Sequence, residues 1–489
     1  MDAENRDSLI SEYLCIIDGE HRAATDGRTI DMRAPSDGQI FASVPRGGAS
    51  DIDVAVQSAR HAFEQGTWSQ FTALDRGRCL MCLADLISQH RSKLAQLEAK
   101  DTGKPLDQAR ADIAALARYF EFYGGAADKI SGETIPAQNG FLALTLREPH
   151  GVVGGIIPWN YPAQIAGRVA GAALAMGNTV VLKPAENAGL SILRMAELAL
   201  EAGIPAGVLN VVTGFGEEAG VALASHADID FLTFTGSPEV GAFVQAAAAG
   251  NHIGCTLELG GKSPQILFAD ADLDAALPAI VKAIIQNGGQ TCSAGSRVLI
   301  EDTIWQDVVA KLETTFRKLV AGPHDGDYDL GAMISAQQQD RVEGFVDRAA
   351  EDGIFQIAMG SVAEEAPDSG FYARPRLFGP VPTDHPLATE EVFGPILSLI
   401  PFEDEQHAIS AANATPYGLV AGVWTRDGQR ALRVAKAVRS GQVFINAYGA
   451  GGGVELPFGG FKKSGHGREK GLEALYEFSA TKAIVYNHG

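Results

Sequence analysis

From residue 152 onward, short continuous apolar runs alternate with longer stretches in which apolar positions recur every three or four residues. The runs at 152–157, 179–183, 208–213 and 231–235 predict strands covered on both faces. The stretches at 163–176, 190–202, 217–226 and 239–249 predict the helices between them. Such alternation builds right-handed crossover units around a parallel sheet. Upstream, 51–66 and 76–126 are Ala-rich with charged outer faces and predict a helical region. Residues 141–147 alternate apolar and polar, the pattern of an extended arm or hairpin strand.

The pattern renews itself after 259. Strands are expected at 265–268, 297–300, 396–400, 422–425 and 442–446, and helices at 273–286, 303–319, 337–351 and 427–438. This predicts a second α/β domain. The Gly-rich stretches 449–453 and 459–467 predict loops, and 480–486 a strand-like tail. No internal repeat or low-complexity segment stands out.

Length and charge narrow the classes. A chain of 489 residues exceeds what one hydrophobic core usually supports, so about two or three domains are expected. A net charge of −21 argues against nucleic acid or an anionic membrane as partner, since both need basic patches. The polar start (residues 1–7) has no secretory apolar region, and no apolar run reaches membrane-spanning length. Five scattered cysteines, Cys15, Cys79, Cys82, Cys255 and Cys292, make no disulfide framework. A reduced, cytoplasmic setting is the expectation. Cys79 and Cys82 lack the second pair or histidine cluster a zinc site needs, and read as two packed helix cysteines. The dispersed histidines predict no metal site.

The candidate chemistry gathers in turns. Asn160, Lys183, Gly214 and Gly236 each follow an expected strand, the place where open parallel sheets bind ligands. Gly214-Phe-Gly216-Glu-Glu-Ala219 fits a dinucleotide turn, a weak signal alone. Gly261-Lys262-Ser263 looks like the end of a nucleotide-binding P-loop, but Thr256 replaces its first glycine, which argues against ATP. Gly236-Ser237 offers amides and a hydroxyl to a diphosphate, or simply caps a helix. Lys183 and Glu186 supply a donor and an acceptor for ribose hydroxyls, and Glu186 would repel a 2′-phosphate, favouring NAD over NADP. Asn160, Glu258 and Cys292 sit in three separate turns as oxyanion donor, base and nucleophile. Taken singly, each has a plain alternative: a helix cap, a surface charge and an inert thiol.

Seven motifs change that balance. Pro-Trp-Asn (158–160), Lys-Pro-Ala-Glu (183–186), Phe-Thr-Gly-Ser (234–237), Leu-Glu-Leu-Gly-Gly-Lys-Ser-Pro (257–264), Gly-Gln-Thr-Cys (289–292), Glu-Glu-Val-Phe-Gly-Pro (390–395) and Pro-Phe-Gly-Gly-Phe-Lys-Lys-Ser-Gly (457–465) occur in this order. Together the chain resembles the NAD(P)-dependent aldehyde dehydrogenase superfamily, of the hydrolytic, non-acylating type.

The resemblance implies a Rossmann-like cofactor domain over 1–128 and 149–258, a catalytic domain over 259–460, and a bridging arm over 129–148 and 461–489. It implies Cys292 as nucleophile, Asn160 with the Cys292 N–H as oxyanion site, and Glu258 as the base that activates water. Glu258 also favours hydrolysis over transfer to coenzyme A. Glu469 matches a position that some relatives use as a proton relay; a helix salt bridge is the alternative. Ile156, Pro158, Trp159, Lys183, Glu186, Gly216, Gly236, Ser237, Gly260, Glu391 and Phe393 would hold NAD. Tyr161, Arg168 and Gln286 would line the substrate site. Arg168 suggests a polar or carboxylate-bearing semialdehyde, although Gln286 stands where such enzymes often carry a second arginine. The alternatives are a broad-specificity or betaine-type aldehyde dehydrogenase, or a non-redox cysteine hydrolase or acyltransferase. The arm implies a homodimer or homotetramer.

Overall fold

Strand Val152–Ile157 lies near the middle of an eight-stranded sheet and explains why its sequence is apolar throughout. Val152 faces one hydrophobic cluster and Val153 the other. Val180, Val181 and Leu182 alternate in the same way on the neighbouring strand Thr179–Pro184. A strand covered on both faces has no polar positions to spare, so the twofold alternation is hidden in the sequence. Each such Val or Leu contributes about 1.5–3 kcal/mol by leaving water.

The computed structural model describes residues 11–449 and 453–489. The polar start at 1–7 and the centre of the expected loop at 449–453 lie outside the described residues. In the first sheet, strands Gly254–Glu258, Phe231–Thr235, Val152–Ile157, Thr179–Pro184 and Leu209–Val211 run parallel in that spatial order. Antiparallel strands close both edges: Gly465–His466 beside Gly254–Glu258, and Cys15–Ile17 with Glu20–Arg22 beyond Leu209–Val211. Helices Ala49–Glu64 and Pro162–Ala175 contribute buried residues to opposite faces.

A seven-stranded sheet forms the second α/β unit. Strands Arg376–Phe378, Ile396–Phe402, Arg297–Glu301, Pro264–Leu267, Val420–Trp424 and Gln442–Ile445 are parallel, and Gln356–Met359 adds an antiparallel edge. Its two faces carry separate hydrophobic clusters. The expected arm strands pair: Ser479–Asn487 runs antiparallel to Phe141–Pro149 along its whole length, with Thr134–Ile135 on the far side. The fold class is therefore the expected one, α/β with two parallel sheets and a small β arm.

Three local differences from the sequence expectations have physical causes. The helical stretch 76–126 is three helices, Ala73–Gln89, Arg91–Thr102 and Leu106–Ala126. Gly103, at φ +77°, ends the second with a left-handed residue, and Pro105 precedes the third. The helix expected at 217–226 is a wide π-type turn, Gly216–Gly220, followed by one short turn, Val221–Ala224. Glycine at both ends of that turn weakens regular helix. Finally, strands Cys15–Ile17, Glu20–Arg22, Thr29–Arg33 and Ile40–Pro45 precede the first helix unannounced. Asp18 and Gly19, both at positive φ, make the two-residue hairpin between the first two.

Candidate active site

The three chemistry-bearing side chains arrive from three different turns. Asn160 follows strand Val152–Ile157, at the carboxyl edge of the first sheet. Glu258 is the last residue of the parallel strand Gly254–Glu258, separated from Val152–Ile157 in the same sheet by Phe231–Thr235. Cys292 comes from the second unit, on the loop after helix Leu273–Ile285. That loop opens with Asn287, Gly288 and Gly289, all at positive φ. At Gly289 a side chain is also excluded by contact, since its Cβ would lie 2.1 Å from the Gly394 carbonyl. Gly261 serves the approach from the other side: its Cβ would lie 2.2 Å from the Cys292 carbonyl.

All three side chains line one cleft of about 740 Å³. Asn160 is buried, and its side-chain N–H donates to the Gln290 carbonyl at 3.0 Å. An amide has two N–H groups, so this bond fixes the plane and leaves the second for another acceptor. Glu258 is buried with no hydrogen-bond partner on either oxygen. Burial, then the nearby Glu469, pushes its carboxyl well above the usual range; Arg168, Arg468 and Lys470 oppose the shift. Burial pushes the Cys292 thiol up to about 12, against the pull of Arg168 and with further push from Glu391 and Glu258. Burial thus favours the protonated form of the sulfur.

The same cleft takes in much of the expected cofactor set. Pro158, Trp159, Gly236, Ser237, Gly260, Glu391 and Phe393 line it. The Trp159 and Phe393 rings meet edge to face at 5.3 Å. Ser237 caps the thirteen-residue helix Pro238–Gly250, accepting from the Val240 N–H at 3.3 Å. One oxygen of Glu391 accepts from the Gly261 N–H at 2.8 Å. Burial raises the Glu391 carboxyl to about 7, opposed by that N–H and by Lys262 and Arg341. The Thr235 hydroxyl also lines the cleft and has no partner among the described residues. A helix start, an aromatic corner, a carboxylate and an unpartnered hydroxyl suit a dinucleotide.

Other expected residues stand apart from this cleft. Lys183 is buried at its strand tip, 3.8 Å from Glu186, and its side chain lies beside Gly220. Gly216 begins that same turn, and no atom comes within 4 Å of the place its Cβ would take. Ile156 is half-buried in its strand. Tyr161 is buried, its hydroxyl 2.9 Å from the Thr291 hydroxyl. Gln286 lines a second cleft of about 660 Å³, on the other side of the cysteine loop, together with Gln108, Gln164, Thr291, Ser293 and Tyr448. Cys292 thus lies between two openings. Arg168 lines neither. It is buried against Glu469, Tyr119 and Phe458. Glu469 is itself buried, accepting from the Thr233 hydroxyl at 3.3 Å. No group of His, Cys, Asp and Glu among the described residues could hold a metal ion.

Several supporting residues were not legible beforehand. Lys104 donates to the Asn160 carbonyl at 2.9 Å, as does the Asn287 side chain. Gln290 spans the base of the loop, bonding Asn287 on one side and Ile334 on the other. The Tyr448 hydroxyl donates to the Ser293 carbonyl at 2.7 Å. Only the positive-φ asparagine beside two glycines left a trace in sequence, as a turn signal.

Comparison with known proteins decides what this arrangement belongs to. The model of the aldehyde dehydrogenase family matches residues 21–484. This chain belongs to the aldehyde dehydrogenase family. An aldehyde dehydrogenase of Aspergillus niger is 43% identical over 475 residues, covering 97% of this chain and 95% of the relative. A Burkholderia cenocepacia protein assigned as an aldehyde dehydrogenase superimposes with a TM-score of 0.96 at 59% identity, covering 97% of this chain and 100% of that one. An aldehyde dehydrogenase of Bacillus cereus, solved as its NAD complex, has the same TM-score at 40% identity, covering 100% and 99%. The reaction of this aldehyde dehydrogenase is oxidation of an aldehyde, so the non-redox hydrolase reading is set aside.

Proposed function

We propose that the chain oxidises an aldehyde to its carboxylic acid with NAD, through a covalent adduct on Cys292. The observation that carries this reading is that Cys292, Glu258 and Asn160 share one cleft with Ser237, Glu391 and Phe393. A thiol, a base and an oxyanion donor thus face residues suited to a dinucleotide.

The Cys292 sulfur adds to the aldehyde carbon, forming a C–S bond while the C=O π pair moves to oxygen and the thiol proton passes to solvent water. The carbonyl oxygen becomes an oxyanion, held by the free N–H of the Asn160 side chain and by the Cys292 backbone N–H. Bound NAD, held by Ser237, Glu391 and Phe393, would supply the hydride acceptor for that carbon. Glu258, buried and with both oxygens unpartnered, then takes a proton from water as the water attacks the thioester. The C–S bond breaks, the acid leaves and the thiol is restored. Aldehyde, water and oxidised cofactor give acid, reduced cofactor and one proton. Lys183 and Glu186 would hold the adenosine ribose, where the Glu186 carboxylate would repel a 2′-phosphate and so favour NAD over NADP, and Glu391 would hold the nicotinamide ribose.

The second cleft supports a polar substrate. Gln108, Gln164, Gln286, Thr291 and Ser293 give it amides and hydroxyls. Arg168 would have to leave Glu469 to meet a substrate carboxylate, so a neutral polar aldehyde is preferred to an acidic one. The domain division at 128, 148, 258 and 460 is kept as part of the same reading. The arm sheet carries exposed Leu142, Leu146, Ile484, Val485 and Tyr486, which favours a homodimer or homotetramer built through it. No described helix is long and apolar enough to cross a membrane; a cytoplasmic location is proposed from the five free cysteines.

The test is NADH formation with a panel of neutral, acidic and aromatic aldehydes, on wild type and Cys292→Ala. No NADH from any aldehyde would overturn the dehydrogenase reading. NADH that survives Cys292→Ala would overturn the covalent route.

A further inference from the structure

Lys104 lies in the turn Gly103-Lys104-Pro105 between two helices of the first unit, and its side chain is wholly buried. A buried ammonium is tolerated only where its protons find partners. Here they do. The Asp112 carboxylate accepts at 2.6 Å, the Asn160 backbone carbonyl accepts at 2.9 Å, and the Glu98 carboxyl lies at 3.6 Å. The ammonium also sits 4.4 Å from the centre of the Tyr161 ring.

Two of these partners, Asn160 and Tyr161, lead toward the reacting atoms. Asn160 is held at both ends: its carbonyl by Lys104 and by Asn287, and its side-chain amide by the Gln290 carbonyl. Gln290 is two residues from Cys292. The Tyr161 hydroxyl meets the hydroxyl of Thr291, the residue just before Cys292. One charge in the first unit therefore fixes the amide from one side while the cysteine loop fixes it from the other. The remaining Asp112 oxygen accepts from Gln164, which lines the second cleft.

We propose that Lys104 is a positioning residue for the aldehyde reaction: its ammonium pins the Asn160 carbonyl and the Tyr161 ring, holding the oxyanion amide in register with Cys292. The proposal rests on the roles given above to Cys292 and Asn160. A neutral side chain would leave Asn160 with one donor on its carbonyl. Arginine would not be equivalent, because a planar fork cannot copy three contacts spread around a tetrahedral nitrogen.

The experiment is a double-mutant cycle on Lys104→Met and Asn160→Ala, read as single-turnover NADH formation from propanal. Lys104→Met is expected to slow that step by about 100-fold, the scale of a misplaced oxyanion donor. The NAD dissociation constant should stay within about twofold, since no cofactor contact is touched. Alkylation of Cys292 by iodoacetamide should keep its wild-type rate, because it needs the sulfur and not the amide. The double variant should be no slower than Asn160→Ala alone. Lys104→Arg should recover only part of the rate. Penalties that multiply in the double variant, or a wild-type rate in Lys104→Met, would overturn the proposal. Should Lys104→Met fail to fold, Lys104→Met/Asp112→Asn removes the ammonium together with its nearest carboxylate and enters the same cycle. A wild type that forms no NADH from any aldehyde sinks the proposed function instead, so the two failures are separate.

Discussion

The guanidinium of Arg168 faces the carboxylate of Glu469, Nη1 to Oε2 at 3.6 Å, with both groups buried. Its Nε donates to the Tyr119 hydroxyl at 3.1 Å, and the Phe458 ring lies 5.0 Å away. The cation is thus matched inside the protein. Arg168→Leu is expected to lower kcat/KM for neutral and acidic aldehydes by the same factor. It should also destabilise the fold by about 3–5 kcal/mol, because the buried Glu469 loses the guanidinium that faces it and keeps only Lys470 to favour its charge. Denaturant titration and kcat/KM on one acidic and one neutral aldehyde check both. A loss confined to the acidic aldehyde would return Arg168 to the substrate.

The same cation sets the pH response of the thiol. Burial holds the Cys292 pKa at about 12, and Arg168 is the first group acting to lower it. Below that value the thiolate fraction rises about tenfold per pH unit. Iodoacetamide alkylation of the apoenzyme should therefore quicken steadily from neutral to alkaline pH. Arg168→Met removes the opposing charge, raises the thiol pKa further and moves the rising limb to higher pH. A limb that moves to lower pH would contradict the assignment.

How far these features could be read from sequence depends on what each rests upon. The strands at the sheet centre were legible because Val152–Ile157 and Thr179–Pro184 are apolar on both faces and bounded by turn residues. The N-terminal strands were not, since Cys15–Ile17 and Glu20–Arg22 span three residues each and are ordered by pairing with Leu209–Val211, distant in sequence. The Asp18-Gly19 hairpin was the one available clue. Cys292, Glu258 and Asn160 were legible as motif residues, and the structure brings them to one cleft. The partner of Arg168 was not, because a charge three hundred residues away leaves no local pattern. Lys104 was hidden for the same reason: a lysine between helices reads as solvated until three partners converge on it.

Glu258 offers a test that separates the two halves of the reaction. Its carboxyl is buried at the cleft wall and has no hydrogen-bond partner among the described residues, so its proposed work is the proton of the attacking water. Glu258→Gln keeps the shape and removes the base. Hydride loss from the Cys292 adduct needs no such base, so a burst of about one NADH per site should persist. Steady turnover should then fall by about 10²–10⁴-fold, the usual worth of a general base. Intact-mass measurement should find the acyl group still on Cys292. Loss of the burst together with turnover would place Glu258 in the first half instead.

The ribose contact proposed for Glu391 would tie cofactor binding to pH. Its carboxyl stands at about 7 because burial disfavours the charge more than the Gly261 N–H, Lys262 and Arg341 favour it. Ribose hydroxyls donate best to the ionised form. Binding of NAD should therefore weaken as pH falls below about 7, by up to about tenfold per unit. The fold should respond in the opposite sense. Between the ordinary carboxyl value and about 7, the folded chain holds a proton at Glu391 that the unfolded chain has lost, so this group's contribution to stability declines as pH rises through that window. Glu391→Gln should flatten both curves. NAD titration by protein fluorescence and apoenzyme melting, each followed from pH 5 to 8 on wild type and variant, give the two slopes separately. If the NAD slope survives Glu391→Gln, another group carries the proton; if only the melting slope vanishes, Glu391 is buried there without holding the ribose.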